Sequence, residues 1–124
     1  MAVTYLIDQS RRIVHWRAWG TLSSDDVREE THRLMADPAF HFQFRSLCDL
    51  TRVRMVTADP AALKEAATLP LFDTGAKRAI VAPTELAFRV ASLYASFAVR
   101  AGHTLEVFRD RPSALAWLGL EMTA

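Results

Sequence analysis

A lone cysteine, four histidines and scattered carboxylates are the residues of this chain that could do covalent or metal chemistry. Their spacing argues against both. A nucleophile needs a base within reach and a third group to orient it. Cys48 stands between apolar neighbours in Ser46-Leu47-Cys48-Asp49-Leu50, a pattern that buries a thiol in its unreactive form. No Gly-x-Ser-x-Gly elbow offers a serine in its place. His15, His32, His41 and His103 lie far apart, none at metal-ligand spacing from another, and one cysteine completes no zinc motif. His32 reads as a solvated helix residue, and His103 as a neighbour of free carbonyls at a helix end. Asp25-Asp26 and Glu29-Glu30 read as a helix start and a solvated face, not as an acid–base pair.

Phosphate and nucleic-acid chemistry find no better support. Gly20, Gly75, Gly102 and Gly119 are too dispersed to form a phosphate cradle. The formal net charge is +1, from 15 Lys plus Arg against 14 Asp plus Glu, so no strong field draws the chain to nucleic acid or an acidic membrane. The carboxyl ends of the parallel strands, where α/β sheets bind ligands, mix Arg52, Arg54, Arg109 and Arg111 with Asp49, Asp59, Glu85 and Asp110. Acids at the helix starts would repel an anion that the helix dipole attracts. No catalytic residue, cofactor, metal or nucleic-acid partner is therefore expected.

What remains is apolar. Between Thr84 and Ala101, Glu85, Arg89, Ser92, Ser96 and Arg100 fall in one polar stripe of a helix, leaving an apolar arc of about 240° where a surface helix needs little more than 100°. Leu86, Val90, Leu93 and Phe97 form one flank, and Phe88 and Val99 another. Ala87, Ala91, Ala98 and Tyr94 form a spine between them. Either neighbouring elements cover the excess, or the Phe88/Val99 flank meets a second subunit or an apolar ligand. Trp16 and Trp19 point to opposite faces of a strand, and an exposed Trp19 would be a contact candidate. Phe40, Phe42 and Phe44 would share one side of an extended segment, as a hydrophobic lid or a ligand wall.

The elements that must position these residues follow from periodicity and punctuation. Val3 to Ile7 and Ile13 to Ala18 read as an antiparallel strand pair, with Val14, Trp16 and Ala18 on one face and Gly20 ending the second strand. Ser23 or Ser24 caps a first helix whose Val27, Thr31, Leu34 and Met35 face the core, with Glu29 and Arg33 paired outside; Asp37-Pro38 ends it. Ser46 to Leu50 is a third strand, and Asp59-Pro60 opens a second helix. Ala79 to Ala82 is a central strand covered on both faces. Thr84 caps the long third helix and Gly102 stops it. Leu105 to Phe108 is the last strand, and Asp110-Arg111-Pro112 starts the last helix. The order ββαβαβαβα predicts one α/β domain over all 124 residues, with a five-stranded mixed sheet. The opening residues do not form a signal peptide, no run is long and apolar enough to span a membrane, and one cysteine suits a reducing, cytoplasmic setting.

Asp37-Pro38-Ala39-Phe40, Leu47-Cys48-Asp49-Leu50, Ala79-Ile80-Val81-Ala82-Pro83 and Val107-Phe108-Arg109-Asp110 with Ala114 to Leu118 occur in an order and spacing that resemble the bacterial SpoIIAA-like proteins. These are small relatives of STAS domains (anti-sigma-factor antagonists), and they also resemble CRAL-TRIO (Sec14-type) lipid-binding domains. The resemblance spans nearly the whole chain and implies the same element order. It further implies that the antagonists' phosphorylatable serine, which opens the helix after the third strand, falls at Ala58, which has no hydroxyl; Thr57 is adjacent. The expectation is a non-enzymatic interaction or regulatory module, a homodimer or the partner of another protein, with Trp19, Phe40, Phe42, Phe88, Ala91, Tyr94 and Val99 as the contact or ligand surface. The alternative is a carrier of a small apolar ligand or lipid, with a cavity bounded by the third helix and the Phe40 to Phe44 segment.

Overall fold

Helix caps and strand alternation set the frame. The computed structural model describes residues 2–120, and the elements run β1 (Val3–Asp8), β2 (Ile13–Leu22), α1 (Ser24–Met35), β3 (Arg45–Val56), α2 (Pro60–Thr68), β4 (Lys77–Val81), α3 (Glu85–Arg100), β5 (Thr104–Phe108) and α4 (Arg111–Leu118). Each helix starts at a side-chain cap. Ser23, Asp59, Thr84 and Asp110 accept hydrogen bonds from Asp26, Ala62, Ala87 and Ser113 backbone N–H groups. Asp26 returns the favour to the Ser23 N–H, closing a capping box.

The five strands lie in chain order, β1-β2-β3-β4-β5, with β1 antiparallel to β2 and all other neighbours parallel. Three successive helical crossovers between neighbouring parallel strands put α1, α2 and α3 on one side of the sheet. Beneath them, Ala18, Leu50 and Ile80 pack with Ala67 of α2 and with Ala87, Ala91 and Ala98 of α3. The residues of opposite phase, Ile13, Leu47, Ala79 and Val81, meet Ala114, Leu115 and Leu118 of α4 on the other side. Among the described residues no helix is long and apolar enough to cross a membrane.

Three local expectations change. Gly20 does not end β2: it takes φ 63°, register shifts flank it, and the strand continues to Leu22 beside an equally extended β3. Arg52 and Arg54 therefore lie, exposed, on β3 itself. In α1 the buried side turns toward Glu30 and away from Met35. Glu30 is only 2 % exposed, whereas Met35 is 47 % exposed. Arg33 accordingly pairs with Glu30, at 3.5 Å, rather than with Glu29.

Candidate functional site

Small side chains on α3 leave room between the helices and the sheet. Ala87, Ala91 and Ala98 let α3 approach closely, but alanine fills little volume. A cavity of about 120 Å³ opens between α1, α2, α3 and the sheet. Trp16, Cys48, Leu50 and Ile80 form its floor; Val90, Ala91 and Tyr94 of α3 cover it, and Val27, Glu30 and Thr31 of α1 close its side. An engineered cavity of about 150 Å³ stays dry and binds benzene. This one thus has room for a molecule of similar size.

Two charged residues stand in that apolar wall. Arg78, on β4 in phase with Ile80, is 7 % exposed. Its Nη2 donates to Tyr94 Oη at 2.6 Å, and its guanidinium lies 4.6 Å from the centroid of the Phe72 ring and 5.7 Å from that of Tyr94. No carboxylate among the described residues pairs with it, and its Nε is buried without a partner. A guanidinium has five N–H donors, and the bond to Tyr94 is the one hydrogen bond that Arg78's side chain makes among the described residues. Glu30 is the second charge. Its Oε1 faces the exposed Arg33, and its Oε2 is buried without a partner. A buried polar group left unmade costs about 1–3 kcal/mol, and more when charged. Two in one wall are unusual for a region whose only purpose is packing.

Cys48 is not poised for nucleophilic attack. Burial, reinforced by the neighbouring Asp49, pushes its thiol up to about 12, so it stays protonated at neutral pH. His103 is buried, and that burial, with the Arg78 charge second, holds its pKa below the ordinary value. Among the described residues no three His, Cys, Asp or Glu side chains are placed to hold a metal ion.

The residues expected to form a surface separate into distinct places. Ala91 and Tyr94 line the cavity. Phe88 is half-buried against the core, with the Arg109 guanidinium 3.9 Å from its ring centroid; Arg109 also meets Glu85 at 3.0 Å. Val99 is 54 % exposed, and Trp19 is exposed while Trp16 packs inside. The Phe40 to Phe44 segment turns rather than extends. Phe40 meets Phe44 and Phe72 edge-on, while Phe42 is exposed and stacks on His41. It supports the cavity from behind: Leu69, Leu71 and Phe72, not Phe40 or Phe42, form the wall there. Ala58 precedes the cap of α2, and its N–H, like that of Thr57, donates to the Leu22 carbonyl. Asp49, within β3 but level with the carboxyl end of β4, pairs with Arg111 at 3.7 Å.

The sequence places Glu30 on a solvated face, which its burial overturns, and nothing in type or spacing marks Arg78. A Glu in a helix and an Arg beside a strand start ordinarily face water. The available signal was Arg78's phase, since it alternates with Ile80 on a strand buried on both faces.

No protein-family model and no curated protein matches the chain. Among solved structures it is similar to an uncharacterised protein of the DUF3478 family with a SpoIIAA-like fold, from Shewanella loihica PV-4. The TM-score is 0.62 at 20 % sequence identity, with 94 % of each chain covered. The fold is SpoIIAA-like. At that identity the likeness carries architecture alone, so the cavity of this SpoIIAA-like domain has to be read from its own residues.

Proposed function

We propose that this SpoIIAA-like domain is a non-enzymatic, STAS-like binding module that takes a small amphipathic molecule into the space between α1–α3 and the sheet. The observation that carries this reading is the apolar cavity with two unsatisfied charged residues in its wall. Size favours a small ligand over a lipid. Drug-sized ligands occupy sites of about 300–1,000 Å³, well above the 120 Å³ found here. The protonated Cys48 thiol supports binding without turnover. With Ala58 at the family's serine position, we read the module as lacking that phospho-switch.

The test is to denature the freshly purified protein and extract it for mass spectrometry. A stoichiometric molecule of about ten or fewer non-hydrogen atoms supports the reading. An empty extract, together with no thermal stabilisation by millimolar benzene or 3-methylbutan-1-ol, overturns it.

A second reading rests on a separate observation. On the outer flank of α3, Leu86 and Leu93 lie exposed two turns apart, with Val90 and Phe97 partly covered between and beyond them. Such a stripe suits self-association or a protein partner. Sedimentation equilibrium of the wild type and of Leu86→Glu/Leu93→Glu tests this. A dimer lost in the variant supports it, and a monomer throughout up to about millimolar concentration removes self-association.

A further inference from the structure

The proposed binding reading can be taken to a ligand class, and this step rests on it. The cavity wall carries unmatched groups of opposite kinds. Arg78 is a cation whose one hydrogen bond among the described side chains goes to Tyr94. The Tyr94 oxygen accepts that bond, so its own O–H proton is free to donate alongside the guanidinium. Glu30 offers an acceptor with a buried, unpaired Oε2. Arg33, its ion-pair partner among the described residues, is 64 % exposed at the side chain and 3.5 Å away, and so screens Glu30 only weakly. Apart from the Ser46 hydroxyl, the Cys48 thiol and the Thr31 hydroxyl, which donates to the Val27 carbonyl, the rest of the lining, including Trp16, Leu50, Ile80, Val90 and Ala91, is apolar.

A purely apolar occupant leaves both charges unmatched. A simple carboxylate answers Arg78 but places a second anion in a small space with Glu30. A simple amine has the reverse fault. A molecule with an anionic and a cationic group on an apolar body answers both. We propose that the cavity binds a small apolar zwitterion, in chemical class a free aliphatic amino acid, with its carboxylate on Arg78 and Tyr94 and its ammonium on Glu30. Glu30 and Arg78 line the cavity but their orphaned atoms are themselves covered, so a side-chain rotation toward the lumen accompanies binding. An apolar body of about five or six non-hydrogen atoms matches a space of about 120 Å³, somewhat below that of the benzene-binding cavity, with the charged groups reaching into the wall.

Isothermal titration of the full chain, refolded from denaturant to strip any cargo, separates the outcomes. The probes are leucine, 4-methylpentanoate (the same body without the ammonium), 3-methylbutylamine (without the carboxylate) and neutral 3-methylbutan-1-ol. A hydrogen bond to a charged group is worth about 1.5–3 kcal/mol, so leucine should bind at least about tenfold more tightly than either half-ligand. Glu30→Gln should lower leucine affinity to that of 4-methylpentanoate while leaving 4-methylpentanoate binding no weaker. Half-ligands that bind as tightly as leucine overturn the zwitterion. If the alcohol binds and leucine does not, the small-ligand site stands and the ligand class falls. If no probe binds, both fall, and Glu30 and Arg78 are met by water only. The half-ligand series is read on the wild type, so it does not depend on how well a variant folds.

Discussion

Replacing Arg78 with methionine should make the ligand-free protein more stable while destroying its binding. The magnitude follows from what Arg78 touches. The variant forfeits the 2.6 Å bond to Tyr94, worth about 2 kcal/mol for a charged donor. It also forfeits the guanidinium contact with the Phe72 ring, 4.6 Å from the centroid, worth about 2 kcal/mol where water is excluded. A methionine sulfur against the same rings recovers about 1 kcal/mol. Against these stands the cost of holding a cation in the interior with no carboxylate partner, several kcal/mol after relaxation and taken here as about 5. The balance is a gain of about 2 kcal/mol. For a domain of this length it corresponds to a rise in Tm of about 8 °C. Urea unfolding of cargo-free protein, at equal m-values, measures the difference directly. A variant less stable than wild type by about 2 kcal/mol or more would refute the reasoning, because Arg78 would then be satisfied within the protein and free of any need for a ligand.

Three further outcomes follow from the same geometry. Ala91→Leu should fill the cavity and abolish probe binding, with stability within about 1 kcal/mol of wild type, since about 2 kcal/mol from added burial is offset by overpacking; unchanged binding in a titration would place the ligand elsewhere. His103 is held neutral by burial, so the unfolded chain protonates first as pH falls below its ordinary value of 6.5; its contribution is present above that pH and lost as pH drops toward the lowered folded value. His103→Asn should therefore flatten the pH dependence of urea midpoints as pH falls below the ordinary value of 6.5, where an unaltered slope would contradict the assignment. Tyr5 donates to Asp37 at 2.7 Å, and burial followed by that bond pushes it up to about 12 from 10.0. Tyr5→Phe should cost about 1 kcal/mol at neutral pH, and the gap should close as pH rises from 10 to about 12, the window in which only the folded tyrosine keeps its proton.

The frame of the molecule was legible because its signals are local. Ser23, Asp59, Thr84 and Asp110 are cap residues whose hydrogen bonds lie within one turn, and the apolar run at Ala79 to Ala82 marks a strand with cover on both sides. The polar stripe of α3 likewise fixes which side faces in: Ala87, Ala91 and Ala98 are fully covered opposite it. The continuation of β2 past Gly20 was hidden because a glycine at positive φ serves a bulge as readily as a strand end. The site was largely illegible for a different reason. Ala91 and Tyr94 could be marked from the wheel of α3, but Glu30 and Arg78 come to line one cavity only when α1 is laid over the sheet. Residue type argued against them, since an unpaired buried charge is what a sequence pattern counts as an error. Val99, Trp19 and Phe42 were marked by their apolar character and do lie at the surface, away from the cavity.

The central claim, that the space under α3 is a ligand site, is tested most directly by methyl-resolved NMR with 3-methylbutan-1-ol or leucine added stepwise. Saturable shifts should appear at Ala91, Ile80 and Leu50, which line the cavity, and not at Ile13, Leu115 and Leu118 on the α4 side of the sheet. The absence of any saturable shift up to about 50 mM probe, an affinity weaker than about 2 kcal/mol, would contradict it, as would shifts confined to the α4 side.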